Sequence, residues 1–111
     1  MDTLRNKIKS YNRKLKFLPG QLLSEKNYLP GSILLIESGV ARLLYKKKGK
    51  ISTLQFINSG EIIGLASILR GIPCEEVRAA EEIVAWSITD IELKEAIKKD
   101  KEIEKECSSY L

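Results

Sequence analysis

Ser32-Ile33-Leu34-Leu35-Ile36-Glu37-Ser38-Gly39-Val40-Ala41-Arg42-Leu43-Leu44-Tyr45 decides the fold, because two apolar runs of strand length meet at a Ser-Gly pair. Short runs rich in branched apolar residues and bounded by glycine read as strands. The spacing predicts strands over residues 32–36 and 40–45. Outward from them the same punctuation continues at Pro19-Gly20, Pro30-Gly31, Lys48-Gly49 and Ser59-Gly60, with a third apolar run over 51–57. Short strands with glycine turns roughly every ten residues point to an all-β barrel or sandwich. Residues 46–50 read as a hairpin turn whose lysines flank Gly49 and stay hydrated. That run has no interleaved aromatics on which bases can stack, so a nucleic-acid partner is not expected.

Both flanks read as helix. Leu4, Ile8, Tyr11 and Leu15 recur at spacings of four, three and four, which predicts a basic amphipathic helix over 1–16. A short apolar helix is expected over 65–69, ended by Arg70-Gly71-Ile72-Pro73. Residues 77–80 and 83–88 read as strands, with Trp86 either in the core or stacked on a ligand. Thr89-Asp90-Ile91-Glu92 has capping-box spacing, and Ile88 and Leu93 stand where a hydrophobic staple needs them. Leu93, Ala96 and Ile97 would form the buried face of that helix, and Asp100 can cap another over 101–111.

Composition sets the limits of the chemistry. At 111 residues and 12.5 kDa the chain is expected to form a single domain over 1–111. A hydrophobic fraction of 43% with 31% charged residues argues against disorder. The absence of histidine removes Ser-His-Asp and Cys-His catalysis and His-ligated zinc. Cys74 and Cys107 have no Cys-x-x-Cys spacing and read as free thiols. The adjacent pairs Glu75-Glu76 and Glu81-Glu82 point to opposite faces of a strand and make no carboxylate dyad. No catalytic constellation remains, so the chain is expected to be no enzyme, to need no cofactor and to bind no metal. No apolar run reaches the ~18–20 residues of a membrane span, and a cytoplasmic location is expected. The net charge of +4 is unevenly spread: Arg5, Lys7, Lys9, Arg13, Lys14 and Lys16 face only Asp2 within 1–24, and the rest is nearly neutral. This basic segment reads either as a solvated helical face or as a lure for an acidic partner or phosphate.

The order of these elements resembles the cyclic-nucleotide-binding domain, a mainly β, cupin-like or jelly-roll-like β-roll with flanking helices. Leu18-Pro19-Gly20-Gln21 is similar to that family's opening Gly turn, and Ile33 through Val40 to its hydrophobic strand ending at glycine. Gly60-Glu61-Ile62-Ile63-Gly64 is similar to the approach to its phosphate-binding cassette. The resemblance runs from about Phe17 to Glu102. It implies a β-roll over 17–88 with a cassette over 60–80, after an N-terminal helix over 1–16 and before C-terminal helices over 89–111.

It also implies a pocket in which backbone amides at the start of a short helix face a cyclic phosphate. The ligand-contacting positions would then be Ile63, Gly64, Leu65, Ala66, Ser67, Pro73, Cys74 and Glu75. In the family a glutamate after the glycine holds the ribose hydroxyl, and an arginine nine or ten positions later pairs with the phosphate. Here Leu65 stands in the first place and Cys74 or Glu75 in the second. Arg70 and Arg78 are the nearest cations that can substitute. A charge-assisted hydrogen bond is worth ~1.5–3 kcal/mol, so losing both contacts implies binding weaker by ~3–6 kcal/mol. The loop from Leu69 to Glu75 is similar to one in cyanobacterial exporters, where such a domain precedes a cysteine peptidase and an ATP-binding-cassette transporter. The expectation is a non-catalytic regulatory domain of such an exporter, partnered by a transporter or peptidase domain of the same chain or complex. Its alternatives are a sensor for a small nucleotide or anion with a non-standard pocket, and a ligand-free interaction domain in which Leu65 plugs the former ribose site.

Overall fold

The computed structural model describes residues 1–73 and 75–110. In chain order it contains α1 (Asp2–Ser10), β1 (Lys14–Phe17), β2 (Leu22–Ser24), β3 (Ser32–Ser38), β4 (Ala41–Lys47), β5 (Lys50–Ile57) and β6 (Ile62–Ile63). There follow α2 (Leu65–Arg70), β7 (Glu76–Ala79), β8 (Ile83–Thr89), α3 (Asp90–Lys99), α4 (Lys101–Cys107) and a 3₁₀ turn (Ser108–Tyr110). The strands form two four-stranded sheets in the orders β1-β8-β3-β6 and β2-β7-β4-β5. Every pairing is antiparallel. This is the mainly β roll with flanking helices that the family resemblance implies, whereas the turn spacing points only to an all-β barrel or sandwich.

The run Ile33-Leu34-Leu35-Ile36 has no polar alternation because β3 is covered on both sides. Ile33 and Leu35 belong to one buried cluster with Leu4, Ile8, Ile88, Leu93 and Ile103, beneath the helices. Leu34 and Ile36 belong to a second cluster with Ala41, Ile57, Val77, Ile83 and Ala85, between the sheets. Successive side chains of a strand point to opposite faces, so a strand between two apolar layers must be apolar throughout. Gly39 makes the β3–β4 turn possible. Its φ is +95°, and a Cβ there would lie 2.2 Å from the Glu82 carbonyl oxygen.

The helical end follows its local signals closely. Thr89 Oγ1 accepts from the Glu92 N–H at 3.1 Å, and the Thr89 N–H donates to Glu92 Oε1 at 2.8 Å. Ile88 and Leu93 are both fully buried in the same cluster. Asp100 Oδ1 accepts from the Glu102 N–H at 2.9 Å and caps α4. The backbone N–H groups of Thr3 and Leu4, which α1 itself leaves unpaired, donate to the Glu106 carboxylate at 3.1 and 2.9 Å. That clasp ties the first helix to the last.

The N-terminal helix departs from expectation. It stops at Ser10, and Lys14–Phe17 form a strand whose Leu15 pairs with Ala85 and is 46% exposed. Leu4, Ile8 and Tyr11 pack as the helical stripe requires, but Asn12 adopts a left-handed φ of 54° and redirects the chain. The open edge of β8 then supplies backbone partners that helical spacing alone does not reveal. Strands β2 and β6, three and two residues long, are too short for any periodicity to register. Part of the basic segment is ion-paired, while Lys7 and Lys9 stay exposed on α1 without an ion pair among the described residues. Arg5 pairs with Asp2, Arg13 with Glu92, Lys14 with Glu37 and Lys16 with Glu82. Trp86 is half-buried against the helix-side cluster, with the Lys14 ammonium 4.3 Å from its ring centre. Among the described residues, no helix is long and apolar enough to cross a membrane.

Candidate functional site

Strand β6 pairs Ile63 with Leu34, and the chain then turns at Gly64 into α2. Gly64 has a φ of +91°, and a Cβ there would meet the Ser32 carbonyl oxygen at 3.3 Å. The glycine is needed for its left-handed backbone and because residues 30–32 approach it closely. Beyond it Leu65 and Ser67 are buried and Ala66 is half-buried. Gly71, at φ 69°, ends the helix, and Pro73 follows half-buried. Cys74 lies outside the described residues.

Glu75 returns to the start of α2. Its carboxylate accepts a hydrogen bond from the Gly64 N–H. Burial pushes its acid above the ordinary value of 4.5, and the Gly64 bond opposes that shift without cancelling it. A side-chain carboxylate therefore sits on the backbone amide that opens the short helix.

Leu65 and Glu75 both face a cavity of about 260 Å³, floored by Leu43, Gln55 and Ile57 of β4 and β5. Ile62 and Glu61 line one side, and Met1, Arg5 and Tyr110 bring the two chain ends over it. Of the described candidates, the structure brings Leu65 and Glu75 together on this cavity. Ile63 is instead packed between the sheets, and Gly64, Ala66, Ser67 and Pro73 shape the loop without lining the space. Gln55 and Arg5 escape sequence reading. Gln55 stands in a strand where facing depends on a β-bulge between Leu43 and Leu44, and Arg5 belongs to a helix read only as a basic stripe.

Arg5 is the cavity's sole cationic side chain among the described lining residues, and Arg5 Nε donates to the Gly60 carbonyl at 2.6 Å. Arg78, a possible replacement phosphate partner, donates to the Gly20 carbonyl at 3.0 Å and does not line this space. Arg70 is exposed at the end of α2 and does not line it either. Among the described residues, no cluster of three or more Cys, Asp or Glu side chains can hold a metal ion.

Two antiparallel sheets packed on each other, with a short helix after β6 and a cavity beside it, define a small β-roll. The family described as the cyclic nucleotide-binding domain matches residues 14–100, and the chain belongs to that family. Among solved structures it is similar to the Thermus thermophilus catabolite activator protein, with a TM-score of 0.82 at 18% identity, covering 98% of this chain and 52% of that one. A cAMP-binding acyltransferase from Mycobacterium smegmatis matches at a TM-score of 0.67 and 30% identity over 78% of this chain and 28% of its own. The regulatory subunit of a cAMP-independent protein kinase A from Trypanosoma brucei matches at 0.73 and 14% identity, over 87% and 36%. The chain thus spans from about a quarter to half the length of these proteins. No curated protein matches its sequence.

Proposed function

We propose that this chain is a non-catalytic regulatory domain that has given up the family's usual recognition of a cyclic phosphate. One observation carries the reading: Glu75 already occupies the Gly64 amide with a carboxylate of its own. A phosphate arriving there would meet a competing acceptor and, where Glu75 is ionised, a like charge. Leu65 supports the same reading, since a buried leucine cannot accept from a ribose hydroxyl. The regulatory subunit of a cAMP-independent kinase is a neighbour in fold that fits such a role. The exporter-like sequence of the cassette loop supports a transporter or peptidase domain as the partner that is regulated.

Calorimetry with cyclic AMP and cyclic GMP tests the reading directly. No dissociation constant tighter than ~10 μM, or about −7 kcal/mol, is expected for the parent chain. Leu65→Glu combined with Glu75→Arg removes the internal carboxylate and returns both charges, so binding should appear. Leu65→Glu with Cys74→Arg covers the other register of the loop. Tight binding by the parent overturns the proposal.

A second reading keeps a ligand of different chemistry. The 260 Å³ cavity is not filled by Leu65, and it retains Gln55 and Glu61 beside Arg5. That favours a sensor over a plugged interaction domain. A thermal-shift screen separates the two, because a ligand at 100 times its Kd adds ~2.7 kcal/mol of stability.

A further inference from the structure

The second sheet has an outer face that the cassette does not use. Pairing of Arg42 with Arg78, Leu44 with Glu76 and Lys46 with Ile51 puts these side chains on one face. Their neighbours Val77 and Ala79 turn the other way, into the core between the sheets. On this outer face lies a cavity of about 350 Å³, larger than the one at the cassette. Lys26 and Asn27, from the connection between β2 and β3, form one wall, and Lys46 and Ile51 of the β4–β5 hairpin form the other. Leu44, 7% exposed, supplies an apolar floor, while Tyr45, Glu76 and Arg78 complete the lining.

Charge and polarity there select a ligand class. Three cations, Lys26, Lys46 and Arg78, surround one acid, Glu76, whose carboxylate is 4.0 Å from Arg78 Nε. Lys26 and Lys46 form no ion pair among the described residues, whereas Arg13, Lys14 and Lys16 are paired by acids of the same chain. Two uncompensated ammonium groups flank an apolar floor at a volume within the ~300–1,000 Å³ range of small-molecule sites. An apolar body can rest on Leu44 and Ile51 while an anionic group reaches both lysines. We propose that this outer-face cavity binds a small molecule carrying one phosphate or carboxylate on an apolar body, independently of the cassette.

Amide-resolved NMR titration of the full chain tests this, with phenyl phosphate, phenylacetate, inorganic phosphate and phenol as probes. Saturable shifts are expected at Lys46, Ile51 and Glu76 with a Kd of about 1 mM, and none at Gly64 or Leu65. Saturation by phenyl phosphate alone assigns a phosphate ligand, and saturation by phenylacetate alone a carboxylate. The exposed pair Lys26→Gln and Lys46→Gln should together weaken the best probe at least about tenfold while leaving the rest of the spectrum intact. Several results overturn the proposal. They are no saturation by either aromatic anion, equal shifts with phenol or inorganic phosphate, unchanged affinity in the double variant, or shifts centred on the cassette.

Discussion

The helix-side cluster and the outer rim of the second sheet are built on opposite rules. Under the helices, Leu4, Ile8, Ile33, Ile88, Leu93 and Ile103 are almost wholly buried, and the helix starts above them are capped by Thr89, Asp100 and Glu106. On β5, Ile51, Leu54 and Phe56 are each more than half exposed, on a strand with β4 on one side and an open edge on the other. Apolar area removed from water stabilises by about 25 cal/mol per Å², so the first region holds the fold together and the second contributes little to it. The contrast separates the part of the chain that folds it from a rim whose apolar side chains stay in water.

The largest effect should come from the closed region. Ile88→Ala removes a buried side chain that joins β8 to α3 and should cost about 2–5 kcal/mol, read as a shifted urea midpoint with unchanged slope. A loss below about 1 kcal/mol would mean that this cluster is loosely packed. Gly39→Ala comes next. Its left-handed φ alone should cost about 1–3 kcal/mol, and the Glu82 carbonyl at 2.2 Å from the new Cβ adds to that. Thermal unfolding would expose an error here, because a neutral result means that the turn relaxes freely.

Thr89→Ala tests the cap and should cost about 1 kcal/mol. Only the share of that cost carried by the Thr89 hydroxyl's bond to the Glu92 carboxylate should shrink in acid, because alanine keeps the backbone N–H. Glu92 is held below the ordinary 4.5, mainly by the Thr89 N–H, with Arg13 helping and burial opposing. Its contribution is present above 4.5 and is lost as pH falls through the lower folded-state value. Glu75 has the opposite sign. Its raised value means that its share of stability is present below 4.5 and fades as pH rises through the folded-state value. Glu75→Gln should flatten stability just above 4.5 while leaving the acid limb set by Glu92, and identical pH profiles would refute the buried carboxylate. The smallest effect belongs to the rim: Leu54→Ser on β5 should change stability by no more than about 0.5 kcal/mol. A large loss there would erase the contrast between the two regions.

Much of this protein was legible from local signals. Glycine-bounded apolar runs located β3, β4 and β5, the apolar run over 83–88 located β8, and the Thr89–Glu92 spacing located the start of α3, because caps and turns depend on residues only a few positions apart. Leu65, Cys74 and Glu75 could be singled out against the cassette pattern from the resemblance alone, since that comparison needs only identity and position. What the tertiary structure alone decided is where distant groups meet. Lys14–Phe17 satisfies a helical stripe yet becomes a strand, because the edge of β8, some seventy positions away, offers it hydrogen bonds. Glu75 could be read as standing where an arginine is expected, but only the folded chain lays its carboxylate on the Gly64 N–H. Lys26, Lys46 and Arg78 share a cavity for the same reason: pairing register, which no local spacing encodes, sets which face each strand residue takes.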